Sequence, residues 1–77
     1  MTKLEVIATI LSEATGTSFE NALETMAAYH KLFPEQSRDW DDTVKNPEAD
    51  MAELRKDLPG IRQWALEGLA RLVKPGH

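Results

Sequence analysis

A histidine set among apolar residues is the first place to look for acid–base chemistry, and this chain has one. His30 shares a helical face with Phe19, Ala22, Leu23, Met26, Tyr29 and Phe33. There it could act as a pH switch or a general base. The chain has no cysteine, and no nearby serine or second histidine completes a nucleophilic or zinc-binding set. The expectation is therefore a boundary histidine with one ring nitrogen hydrogen-bonded.

The second chemical candidate is the run of carboxylates Asp39, Asp41 and Asp42, with Glu48 and Asp50 downstream. Hard oxygen ligands at alternating positions are what calcium sites use. A calcium loop opening at Asp39 requires a glycine at position 44 and a glutamate at position 50, where Val44 and Asp50 stand. The segment reads instead as a solvated acidic face interleaved with Arg38 and Lys45. Within it stands one large aromatic residue, Trp40, and tryptophan in polar surroundings is favoured at interaction hot spots. Arg38, Asp39, Trp40, Asp41 and Asp42 thus form the candidate partner-binding set. No catalytic residue, metal ligand or cofactor site is expected. Core use is the commoner fate of both Trp40 and Trp64, since a small bundle needs large side chains to fill it, but Trp40 is the better contact candidate of the two. As a contact residue, Trp40→Ala weakens partner binding and leaves thermal stability almost unchanged, whereas a large loss of stability would move Trp40 into the core.

The elements that must position these residues are helical. Thr2 and Glu5 form a capping box, after which Leu4, Ile7, Leu11 and Ala14 recur at helical spacing, widened by Val6 and Ile10. This predicts a helix over 3–15 that ends at Gly16, followed by one over 18–33 opened by Thr17 and Glu20 and closed by Pro34. Residues 36–44 form a short helix or an ordered loop. Asn46 and Pro47 open a helix over 47–57 with Met51, Leu54 and Leu58 on a narrow seam. A last helix over 59–73 carries Ile61, Trp64, Ala65, Leu66, Leu69, Leu72 and Val73 around more than half its circumference, leaving a wet stripe at Gln63, Glu67 and Arg71. Such a helix should be central or shared with a partner, with Gly68 admitting close approach. The fold class is all-α, a small bundle of four to five helices in a single domain over 1–77.

Composition bounds the function. A chain of 77 residues buries only about 60% of its unfolded surface, so packing must do what disulfides and zinc do elsewhere. A net charge of −4 and a pI near 5.0 disfavour binding to free nucleic acid, whose affinity comes from clustered Lys and Arg. No apolar run approaches the roughly 20 residues of a membrane span. Glu5 and Glu13 are foreign to a secretory signal, so a cytoplasmic location away from membranes is expected.

One segment, Asp50 to Leu72, carries Leu58, Pro59, Gly60, Ile61, Trp64, Ala65, Leu66, Glu67, Gly68, Leu69 and Leu72. It resembles the helical tail that follows the ATPase core of phage and plasmid primase-helicases. The resemblance implies origin on a mobile element, or descent from or mimicry of a helicase's helical subdomain. It does not imply ATPase activity, because the GxxxxGK[ST] phosphate loop is missing. The expected function is a small, acidic, non-enzymatic protein-binding module, regulatory or inhibitory, acting stoichiometrically on a larger protein. Two alternatives stand beside it. One is a self-associating structural module, a homodimer through the last helix. The other is an accessory domain of replication or DNA processing.

Overall fold

The computed structural model describes residues 1–68 and is all-α there, with four helices. These are α1 (Lys3–Thr15), α2 (Phe19–Leu32), α3 (Pro47–Arg55) and α4 (Leu58–Gly68). Local chemistry sets most of their ends. Thr2 and Glu5 cap α1 reciprocally, and Gly16 closes it in the left-handed conformation at φ 79°, which a residue with a Cβ rarely adopts. The α2 cap falls one residue later than expected, on Ser18, whose hydroxyl accepts from the Asn21 N–H. Asn46 caps α3, with Pro47 at its first position. Leu58, Pro59 and Gly60 form the first turn of α4, which opens one residue earlier than expected, and the Asp57 carboxylate accepts from the Gly60 N–H at 3.1 Å. A Cβ on Gly60 would collide with that carboxylate, so the glycine makes room for the cap.

The central helix is α1, not α4. Each of the other three helices packs against it, and it buries Val6, Ala8, Ile10 and Leu11. Within the described residues α4 buries only Ala65, and Leu66 is 61% exposed. Its apolar stripe is wide, yet Trp64 as well as Leu66 stays more than a third exposed. The atoms nearest a Cβ built at Gly68 belong to Trp64 of the same helix, so the expected close approach of another helix does not explain that glycine. Residues 69–73 of the expected last helix lie outside the described residues.

Residues 34–41 form consecutive turns, so of the short helix or ordered loop expected over 36–44 the ordered loop is the one present. Their i→i+3 bonds include Ser37 N–H to the Pro34 carbonyl and Trp40 N–H to the Ser37 carbonyl. What orders this segment is the start of the chain. A helix leaves its first N–H groups without internal partners; here the Lys3 N–H donates to the Asp42 carbonyl at 3.0 Å and the Leu4 N–H to the Trp40 carbonyl at 2.9 Å. Val44 N–H returns a bond to the Met1 carbonyl, and Lys3 Nζ meets Asp39 at 2.8 Å.

Trp40 is accordingly a core residue. Its side chain is 7% exposed, in one cluster with Ala8, Leu11, Ala22, Met26 and Ala65, and its ring stacks on Tyr29 at 5.4 Å between centroids. This corrects its expected place as an exposed contact residue. A second tie holds α3 to the end of α1: the Arg55 guanidinium donates to both Glu13 oxygens at 2.8 and 2.7 Å.

Two predictions follow from this packing. Trp40→Ala should lose about 3–5 kcal/mol, a large share of the stability of a domain that has roughly 0.05–0.15 kcal/mol per residue, and a circular-dichroism melt will read this as unfolding or a steep fall in Tm. The second concerns pH. Hydrogen bonding from Arg55 holds the Glu13 carboxyl below its ordinary 4.5, and Lys3 holds Asp39 below its ordinary 3.8. A lowered folded-state pKa contributes stability that is present above the unfolded-state value and lost as pH falls through the folded one. Melts of the native chain should therefore weaken more below pH 4.5 than melts of Glu13→Gln, a difference reduced by salt because both pairs are solvent-accessible.

Candidate functional site

The C-terminal half of α2 and the turns after it bring together more chemistry than their spacing suggested. Pro34 ends α2, and the following turn folds Ser37 back over the helix. Its hydroxyl lies 2.6 Å from His30 Nδ1 and 2.8 Å from the Phe33 carbonyl oxygen. Asp41, one turn further, places Oδ2 3.1 Å from His30 Nε2. A serine, a histidine and an aspartate are thus connected in series. The expectations that no serine accompanies His30, and that one ring nitrogen is bonded, are both corrected.

The connection has the membership of a nucleophilic triad but not its access. Ser37 is 0% exposed, so no substrate carbonyl can reach its oxygen, which a triad requires. Its hydroxyl is surrounded by the Phe33 carbonyl, His30 Nδ1 and, at 3.5 Å, the His30 carbonyl. Both ring nitrogens of His30 are thus engaged, Nδ1 by Ser37 and Nε2 by the Asp41 carboxylate. His30 also stacks on Trp40 at 5.8 Å. The arrangement is a strut that fixes the turn beneath Trp40, and no buried side-chain polar atom among the described residues lacks a partner.

The partner-binding set separates into different roles. Trp40 is buried, Asp39 is paired with Lys3, and Asp41 is paired with His30. Asp42 has an exposed side chain but gives its backbone carbonyl to α1. Arg38 is exposed and makes no ion pair among the described residues. The segment is therefore partly consumed in holding the fold. Among the described residues no group of three His, Asp or Glu side chains is arranged to hold a metal ion, and no helix is long and apolar enough to cross a membrane.

The surface feature that the sequence did not single out lies on the other side of Tyr29. Tyr29 contacts Phe33 at 4.8 Å and meets Trp64 of α4 at 5.5 Å, with ring planes at 42° and 65° respectively. Its hydroxyl donates to Gln36 Oε1 at 2.8 Å. Phe33 and Trp64 are 37% and 38% exposed, and with Tyr29, Gln36, Glu67 and Gly68 they line one open cleft. Helical spacing places Tyr29 and Phe33 on one face, but nothing in the linear pattern brings Trp64 beside them.

This chain matches no protein-family model, no curated protein and no solved structure. The functional reading therefore rests on the geometry above.

The strut can be tested by a double-mutant cycle. Ser37→Ala should lose about 1–3 kcal/mol by leaving the Phe33 carbonyl and the His30 ring short of a partner. His30→Ala should lose a similar amount, and the double variant should fall short of their sum by about 0.5–3 kcal/mol, the coupling of directly bonded groups. Chemical denaturation measures all four.

Proposed function

We propose that this chain is a non-enzymatic protein-binding module that acts stoichiometrically through the face where the end of α2 meets α4. The observation that carries the reading is the pairing of Phe33 and Trp64, each more than a third exposed, in one cleft beside a packed core. Large aromatic side chains left accessible in a concave patch are the residues on which interfaces concentrate their binding energy. The absence of catalysis is supported by the site that most resembles a catalytic one: Ser37 is sealed from solvent and serves the fold. Acidic side chains around the turn segment would speed encounter with a basic partner surface and set its orientation.

Self-association is the second reading, favoured by Trp64 and Leu66 standing exposed on one helix. Native mass separates the two, since a dimer through α4 gives a mass that rises with concentration and a monomer at all concentrations excludes it.

The module reading is tested by immobilising the protein and the double variant Phe33→Ser with Trp64→Ser, and identifying retained proteins by mass spectrometry at low and moderate salt. The native chain should retain a protein that the variant loses. Retention of nothing at either salt, or equal retention by both, would sink it.

A further inference from the structure

The cleft between α2 and α4 has a chemistry more specific than apolar contact. Its walls are three aromatic rings, and an aromatic face presents the negative side of its quadrupole to whatever lies on it. Tyr29 cannot turn away, because Trp40 stacks behind it and Gln36 accepts its hydroxyl proton. Trp64 stands at 65° to Tyr29, so the two rings form adjoining walls rather than a closed stack.

The rim adds charge to this. Glu67 is exposed, and Gln63 Nε2 donates to its Oε2 at 3.0 Å. That bond steadies the carboxylate, and its Oε1 makes no hydrogen bond among the described residues. Gly68 lines the same cleft, and a Cβ built there would come only into ordinary contact with the Trp64 indole, at 3.6 Å from Nε1. The glycine itself puts no side chain over that edge of the indole. The cleft measures about 310 Å³, at the lower end of the roughly 300–1,000 Å³ typical of small-molecule sites. It suits one side-chain head group better than a nucleotide-sized cofactor.

We infer that the Tyr29–Phe33–Trp64 cleft binds an arginine side chain presented by a protein partner, its guanidinium lying against the indole of Trp64 and donating to Glu67. This rests on the reading of the chain as a protein-binding module and names the chemistry of its partner. Aromatic faces beside a carboxylate attract cations. A planar guanidinium is the cation that can stack on a ring and still present a hydrogen-bonding fork to a carboxylate in its own plane. The net charge of −4 draws the same partner from longer range.

The probe is a short capped peptide carrying two arginines, set against the same peptide with citrulline, which keeps the shape and loses the charge. Titration followed by amide and indole NMR shifts should move the Trp64 indole, Phe33 and Gly68 signals with the arginine peptide and leave them in place with citrulline. Trp64→Ala should weaken the arginine peptide by roughly 2- to 30-fold, the range of cation–aromatic contributions, and Glu67→Gln, an exposed substitution, by roughly 2- to 5-fold, the range of an exposed ion pair. Circular dichroism will confirm that both variants fold, and Trp64→Phe should retain part of the affinity. Equal responses to both peptides, shifts confined to the Asp39–Asp42 turns, or no shift would each overturn the inference. A captured protein partner whose binding is unchanged by Glu67→Gln and Trp64→Ala would also overturn it while leaving the module reading intact. Capture of nothing, with the arginine shifts present, would remove the module reading and leave the cleft's chemistry standing.

Discussion

The structure depends on one non-local closure, the docking of residues 40–44 onto the start of α1. The Trp40 carbonyl accepts from the Leu4 N–H while the Trp40 ring fills the space under Tyr29 and His30. One residue thus satisfies an otherwise unpartnered helix N–H and supplies a large buried side chain. The chain has no cysteine, and its four described helices are short, so such non-local ties must do the work of a covalent link. The central helix α1 is held at its beginning by this docking and at its end by the forked Arg55–Glu13 pair.

What the sequence made legible was what short-range chemistry decides. The capping box at Thr2 and Glu5, the left-handed Gly16, and the Asn46–Pro47 start of α3 each depend on neighbours within one turn, and each stands where its residues put it. The all-α class follows from the same periodicity. Trp40 was illegible for a definite reason. Its neighbours Arg38, Asp39, Asp41 and Asp42 are polar because their side chains face outward, while two of the backbone carbonyls in that stretch do the docking. Carbonyls leave no mark in composition. The Ser37–His30 bond was hidden similarly, since it crosses the proline that ends the helical period. The wide stripe of α4 was visible, but width alone could not say which helix would be central; α1 takes that place by offering a buried face to three partners.

The candidate site shows the same division. Acidic residues that read as a free surface prove partly committed, Asp39 to Lys3 and Asp41 to His30. The accessible aromatic surface lies instead where Tyr29 joins the core to the exterior. One of its neighbours, Trp40, is sealed, and the other two, Phe33 and Trp64, are open. A ring held rigidly from behind is a better recognition wall than a mobile one, because less freedom is lost when a partner arrives.

The pairing of the first residues with Val44 also bears on the order in which the chain can assemble. The amides of Lys3 and Leu4 find their acceptors on Asp42 and Trp40, 39 and 36 positions further along the chain. The capping box serves the Thr2 and Glu5 amides locally, but those of Lys3 and Leu4 wait for this docking, and contacts between such distant segments are the slow ones to form. The segment composed most like a loop is therefore the last piece that the first helix needs.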